Sequence, residues 1–344
     1  MSPPERFLIV RTSALGDVVH SLPVLTALRK RFPQAAIGWV IERRLAPLLE
    51  GHPSLDQLIR VDTKGWRQGR LSWTTLRSIQ SFIAELRRFR ADVALDLMGN
   101  HKAGVIAALS GARRKIGLRR ADRREPSSAL WINEGVAASG EHAVEEPLSV
   151  LAALREPQGP PDFGADLIAA GAAAPAAVSA LAARGFFLVH PGAGWHNKRY
   201  PTELWGTAAA ELSAETGLAC AVAWGPGERS MAEEVVAAAG EATLVEAPDL
   251  PSLIALLRRS RLVLGGDTGP VHLAHAVGTP VLALMGPTDP ARHGPYGAPE
   301  SSLARPLPCS YCYARLDEPK ACLREIRPRE VVERALELLA EAAV

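Results

Sequence analysis

The segment Gly265-Gly266-Asp267-Thr268-Gly269-Pro270-Val271-His272 follows the apolar run Leu262–Leu264. Its glycines permit a tight turn, and Pro270 suits the first position of a helix. Free backbone N–H groups and the helix dipole make such a turn an anion site, to which Thr268 adds a hydroxyl. A diphosphate is the natural ligand. On these residues alone, an ordinary strand–helix turn capped by Asp or Thr explains the segment equally well. A second loop, His190-Pro191-Gly192-Ala193-Gly194, leads into Lys198 and Arg199, either of which suits phosphate charge. A third, Trp224-Gly225-Pro226-Gly227-Glu228, offers a carboxylate that suits two ribose hydroxyls or the cap of the next helix; position alone favours the cap. Three Gly-bearing loops after three strands of one sheet favour a nucleotide site. No G-x-G-x-x-G follows the first strand of either half and no P-loop pattern occurs, which disfavours a dinucleotide or P-loop reading. No Asp-x-Asp occurs either. Neutralisation of a diphosphate is therefore expected from cations and helix termini, with no metal and no cofactor.

The first half carries a different set. Asp17 lies where the first strand turns into the first helix, behind Thr12-Ser13-Ala14-Leu15-Gly16. A carboxylate there suits a general base that takes the proton of an attacking hydroxyl, although a first-turn Asp is more often a cap. His20, one turn on, reads as a packing residue. A basic cluster runs through Lys102, Arg113, Arg114, Lys115, Arg119, Arg120, Arg123 and Arg124. Another at Lys64, Arg67 and Arg70 is interleaved with Trp66 and Trp73. Such clusters suit phosphates or carboxylates. No nucleic-acid module is visible, so a small polyanion or a membrane surface is the expected partner and nucleic acid is not.

These residues must be positioned by elements, and the elements alternate. Apolar runs at Phe7–Arg11, Ala36–Ile41, Gln57–Val61, Asp92–Leu97 and Lys115–Leu118 read as strands, separated by helices at Asp17–Arg31, Leu76–Phe89 and Lys102–Ser110. The stretch Arg155–Ala174, rich in Pro, Gly and Ala, reads as a linker. A second series follows, with strands at Phe186–His190, Ala219–Ala223, Ala242–Glu246, Leu262–Leu264 and Val281–Met285. Its helices are Thr202–Glu215, Ser230–Ala238, Leu250–Arg259 and Val271–Val277, and Arg327–Ala342 closes the chain. The fold class is α/β: two doubly wound, Rossmann-like domains facing a central cleft, with ligands at the carboxyl ends of the strands. The expected domains are 1–160 and 161–326, with 327–344 a closing helix that could pack back on the first domain.

Composition agrees with this plan. A chain of 344 residues suits two domains, and 47% hydrophobic with 22% charged residues suits a globular protein. No apolar run approaches the ~18 residues of a membrane span, and the start has no signal-peptide pattern, so the expected location is the cytoplasm. Residues 1–160 hold 24 Lys and Arg against 16 Asp and Glu, whereas residues 161–344 hold 15 against 21. The excess points to an anionic partner for the first half. Cys309, Cys312 and Cys322 read as reduced thiols rather than a zinc site, since Cys309-x-x-Cys312 lacks a partner pair.

The pieces FLIVRTSALGDVVHSLPVL, LDLMGNHKAG, RREP, EHAVE, HPGAGWHNKRYP and GGDTGPVHLAHAVGTPVLALMGPTDP together resemble glycosyltransferase family nine, the ADP-heptose:lipopolysaccharide heptosyltransferases. The resemblance spans nearly the whole chain, and RREP and HAVE are similar to the heptosyltransferase I type, which adds heptose to Kdo on lipid A. It implies a GT-B fold with an acceptor domain followed by a donor domain. It also implies inversion at the anomeric carbon without metal, and work at the inner face of the cytoplasmic membrane. ADP-heptose would be the donor and a Kdo-lipid A or related anionic lipopolysaccharide core the acceptor. Carried over by residue, Asp17 is the base; Gly194, Lys198, Glu228, Asp267, Thr268, Gly269 and His272 bind the donor; and Lys64, Arg67, Lys102 and Arg124 face the acceptor. Met98 stands where a polar residue is expected. Two alternatives stay open: a transferase with another nucleotide sugar or acceptor, and a non-catalytic sugar-nucleotide-binding protein.

Overall fold

A computed structural model describes residues 5–69, 72–155, 159–169, 173 and 177–342. Arg70, and residues 156–158, 170–172 and 174 of the expected linker, lie outside the described residues. The chain divides into two compact units, Met1–Ala169 and Ala170–Val344.

The first unit is built on six parallel strands, β1 (Arg6–Val10), β2 (Ala36–Glu42), β3 (Gln57–Val61), β4 (Val93–Asp96), β5 (Arg114–Leu118) and β6 (Glu134–Val136). Their spatial order is β3-β2-β1-β4-β5-β6. Central β1 reads as a continuous apolar run because both its faces are covered: Phe7, Leu8, Ile9 and Val10 are all fully buried. Register is set by pairs such as Val10 with Val40 on one side and Val10 with Asp96 on the other. One core face gathers Leu8, Val10, Val40, Ile59, Ala94 and Ile106 with Phe82, Leu86 and Phe89, the last three from the amphipathic helix Trp73–Arg88 or its end.

The second unit repeats the plan with β7 (Phe186–His190), β8 (Ala219–Val222), β9 (Ala242–Leu244), β10 (Val263–Gly266), β11 (Val281–Met285) and β12 (Ser302–Ala304), all parallel. Read from the other edge, its order β9-β8-β7-β10-β11-β12 is the same third-second-first-fourth-fifth-sixth arrangement as in the first unit. In each sheet the winding direction reverses between the first and fourth strands. Crevices for ligands open at the carboxyl ends of such strand pairs. Loops leaving β1 and β4, and those leaving β7 and β10, are therefore the places to look.

Several expectations change. The helix expected over Asp17–Arg31 is two helices, Leu15–His20 and Leu22–Arg31, because Ser21 ends one and Pro23 starts the next. β6 and β12, three residues each at sheet edges, carry too little pattern to be seen in sequence. The closing helix, Pro328–Glu341, belongs to the second unit. Its apolar stripe of Val331, Val332, Ala335 and Leu338 joins the core formed by Trp205, Leu212, Leu282 and Leu284.

Candidate functional site

In the second unit, the loops leaving β7 and β10 meet at Asp267. Its Oδ2 accepts hydrogen bonds from Lys198 Nζ at 2.5 Å and Thr288 Oγ1 at 2.7 Å, while Oδ1 lies 2.9 Å from His272 Nε2. The glycines before it are dictated by this meeting. A Cβ on Gly266 would stand 2.8 Å from the carbonyl oxygen of Lys198, and one on Gly265 would stand 3.0 Å from that of His190. Burial pushes the Asp267 carboxyl up. The hydrogen bond and charge of His272, with the Lys198 ammonium, outweigh it and hold the group well below the usual carboxylate range. Burial also pushes His293 down to about 4, with Arg292, Lys198 and His272 adding to the effect and Asp267 opposing it.

Thr268 takes the N-cap position of the helix Gly269–Ala276 but makes no side-chain cap. Its Oγ1 is buried with no hydrogen-bond partner among the described residues. Buried hydroxyls are nearly always bonded, so an orphan at a helix N-terminus calls for a ligand oxygen. Gly194 is exposed and nothing lies within 4 Å of a Cβ built on it, which leaves the loop open to a ligand on that side.

Glu228 departs from the cap that its position favours. It precedes the helix Arg229–Ala239 but its side chain does not cap it. The carboxylate turns back across the sheet end instead. Oε2 accepts from Gly225 N at 3.1 Å, and Oε1 lies 3.7 Å from Arg199 Nη2. A Cβ on Gly192 would stand 1.9 Å from Oε2, so Gly192 exists to let this carboxylate in. Sequence reasoning missed Thr288, His293 and Trp195, whose indole takes the Lys198 ammonium at 4.4 Å from the ring centroid. No spacing rule links those positions to Asp267.

In the first unit, the loop leaving β1 is pinned by the buried Trp39, whose indole N–H donates to Arg11 O at 2.9 Å. Arg11 reaches the loop after β4 through Leu97 O, and its Nη2 lies 3.2 Å from Asp17 Oδ1. Asp17 Oδ2 accepts from Ala14 N at 3.1 Å, so the carboxylate also serves the first turn of its helix. Its side chain remains 46% exposed. Thr12 explains Met98: its N and Oγ1 both lie 3.4 Å from the thioether sulfur.

Lys102 Nζ stands 3.5 Å from Glu42 Oε1 and 3.4 Å from Ser13 Oγ. Burial lowers its pKa, Glu42 opposes that, and Arg67 and Arg44 are close enough to lower it further. Lys102 and Arg67 thus share one neighbourhood, with Glu42 the buried carboxylate among them, a residue that the sequence did not single out. Lys64 and Arg67 are exposed on the short helix Thr63–Gln68. Arg124 is exposed beside the turn at Gly99, whose added Cβ would meet Arg124 N at 3.3 Å. The basic run is not a uniform free face. Arg114 pairs with Glu134 at 2.6 Å, Arg119 with Asp122 at 2.8 Å, and Arg123 with Asp96, the last pair fully buried. The thiols Cys309 and Cys312 are exposed and Cys322 is buried, and among the described residues no group of three or more His, Cys, Asp or Glu is arranged to hold a metal.

Two six-stranded parallel sheets of one winding order, with a cation, an acid and an orphan hydroxyl at the switch point of the second, are the two Rossmann-like sheets of a GT-B architecture. The profile of glycosyltransferase family 9 (heptosyltransferase) matches residues 79–322, and the chain belongs to that family. It is 31% identical over 314 residues to lipopolysaccharide heptosyltransferase 1 of Pseudomonas aeruginosa, covering 89% of this chain and 86% of that one. The structure of Escherichia coli heptosyltransferase WaaC with ADP superposes with a TM-score of 0.81 at 25% identity, over 97% of this chain and 99% of that one. WaaC with ADP-2-deoxy-2-fluoro heptose gives 0.78 at 25%, over 96% and 99%.

Proposed function

We propose that this protein transfers heptose from ADP-heptose to the Kdo region of a lipopolysaccharide precursor, by a single displacement that inverts the anomeric carbon and needs no metal. The second unit binds the donor and the first the acceptor. The observation that carries the reading is the Thr268 hydroxyl, buried and unpartnered at a helix N-terminus beside the Lys198–Asp267–His272 cluster. Thr268, the N–H at the start of the Gly269–Ala276 helix and the Lys198 ammonium suit the oxygens of a diphosphate. Asp267 and His272 orient Lys198 rather than touch the sugar, and Glu228 suits the ribose hydroxyls. The ligands of the two WaaC structures support adenosine diphosphate as the nucleotide.

On the acceptor side, Asp17 takes the proton of the attacking hydroxyl, and Arg11 holds the carboxylate in place. As the bond to the anomeric carbon forms, the bond to the diphosphate breaks on the opposite face, and the leaving charge passes to Lys198 and the helix N-terminus. Lys64, Arg67, Lys102 and Arg124 meet the phosphates and carboxylates of the acceptor. Exposed Trp73 beside this basic stretch suits the inner face of the cytoplasmic membrane, and no helix among the described residues is long and apolar enough to cross one.

The test is titration with ADP, UDP and GDP, then assay with ADP-heptose and Kdo-lipid A before and after exhaustive EDTA dialysis. ADP should bind best, the product should show inverted configuration by NMR, and chelation should leave the rate unchanged. Preference for UDP or GDP would favour the alternative of a different nucleotide sugar. Binding with no turnover would favour a non-catalytic sensor. A rate lost to EDTA and restored by Mg²⁺ would end the metal-independent reading.

A further inference from the structure

The segment from Leu307 to Lys320 has no part in the transfer described above, yet it is fastened to the donor loops at several points. Tyr313 N donates to Pro287 O at 2.9 Å, and the buried Asn197 donates through Nδ2 to Ala314 O at 2.8 Å. Asp289 N donates to the Tyr313 hydroxyl at 3.4 Å, and the Tyr313 ring meets His293 edge-on at 5.7 Å between centroids. Tyr311 and Tyr313 hold φ values of 61° and 53°, a region that costs a residue with a side chain. A path that costly and that well tethered is specified.

Its consequence falls on the next residue. With Ala314 held by Asn197, the Arg315 guanidinium lies 4.6 Å from the centroid of the Trp195 ring. That same ring takes Lys198 Nζ at 4.4 Å, which bounds the separation of the two cationic groups at 9.0 Å. Lys198 is matched by Asp267, and Arg199 by Glu228, whereas Arg315 pairs with no carboxylate among the described residues. One indole therefore gathers two cations where one buried acid is available. The unmatched one is a guanidinium, whose planar fork suits two phosphate oxygens at once.

We propose that Arg315 is a second phosphate-binding cation of the donor site, carried there by the Leu307–Lys320 segment and steered by Trp195. This rests on the reading of that site as a nucleoside diphosphate site. Lys198 comes from the loop after β7 and Arg315 from the far end of the chain, so the diphosphate itself ties the segment to the sheet. A stacked Arg315 that only fastens the segment would leave anion binding untouched.

The experiment is calorimetric titration of the full chain with ADP, AMP and adenosine, for wild type, Arg315→Ala, Arg315→Gln and Trp195→Leu. Arg315→Ala should weaken ADP by at least about tenfold, AMP by less, and adenosine not at all, since one charged hydrogen-bonding group is removed from the phosphates alone. Arg315→Gln keeps a polar, hydrogen-bonding side chain that is shorter and uncharged, and should match Arg315→Ala. Trp195→Leu should weaken ADP in the same direction. ADP affinity unchanged in both Arg315 variants overturns the inference and leaves the diphosphate site standing. Equal losses for ADP and adenosine also overturn it, because they mark a fastening role. A wild type that binds no nucleoside diphosphate overturns the donor reading itself, and this inference with it.

Discussion

Asp17 and Asp267 are both aspartates beside a helix start behind a parallel strand, and their surroundings give them opposite work. Asp267 is 8% exposed and spent on three partners, so it has no oxygen left to receive a proton from a substrate. Asp17 is 46% exposed with one arginine beside it, which leaves a carboxylate open to an attacking hydroxyl. Asp17→Asn keeps the shape and removes the proposed base. Its kcat should fall by about 10²–10⁴-fold, with ADP affinity and thermal unfolding little changed; near-normal turnover would remove Asp17 from the reaction. His293 gives a pH prediction. Its folded pKa of about 4 lies below the ordinary 6.5, so between these values the unfolded chain binds more protons and stability falls as pH drops. The loss is at most roughly 3 kcal/mol. In urea titrations, His293→Gln should flatten the decline from pH 6.5 to 4; an identical decline would show that His293 is not its source. At this scale Asp17, Lys198 and Asp267 were legible because each sits at a strand–helix junction with a local pattern. Arg11 was inside the motif but read as strand. Glu42 and Thr288 were not legible, since only the folded sheets bring them to Lys102 and Asp267.

At the scale of elements, the donor loops meet because β7 and β10 are neighbours, which brings together Lys198 and Asp267, residues that stand 69 positions apart in the chain. Gly266 has the approach of Lys198 O built into its missing side chain. Gly266→Ala must push the two loops apart, so it should weaken ADP binding and lower the unfolding midpoint together. Affinity retained at full stability would mean that the loops need not touch. Gly192→Ala differs, because its Cβ would displace only the end of the Glu228 side chain. It should cost affinity about as much as Glu228→Ala, with the double variant no worse than either single one; additive losses in the cycle would separate the two residues. Alternation of apolar runs and amphipathic helices made ten of the strands readable. β6 and β12 escaped because three residues at an edge, none of them buried, carry no period. The break at Ser21 escaped because the apolar stripe continues through it from Val19 to Leu22, and Pro23 is as well suited to a helix's first turn as to its disruption.

At the scale of the whole molecule, charge is divided between the halves of the chain, and the fold decides how much of it is available. The excess of cations in residues 1–160 was legible by counting. Its distribution was not, because Arg29, Arg114 and Arg123 are each matched to an acid that only the fold brings close: Asp56, Glu134 and Asp96. Lys64, Arg67 and Arg124 remain exposed, with Lys102 half-buried beside Glu42. On the proposed assignment, an anionic acceptor meeting exposed cations is screened by salt, whereas a diphosphate beside the buried Thr268 hydroxyl and the largely buried Lys198 is screened less. Raising ionic strength until the Debye length is about 8 Å should therefore raise the acceptor KM more than the donor KM. Replacing Lys64 and Arg67 by Ala should raise acceptor KM at low salt and reduce its further rise with salt, because the screened contacts are already gone. Arg114→Ala, which removes a matched cation, should change stability and leave that salt dependence as in wild type. Equal salt dependence for both substrates, or an acceptor KM indifferent to Lys64 and Arg67, would show that the acceptor is not recognised by this face.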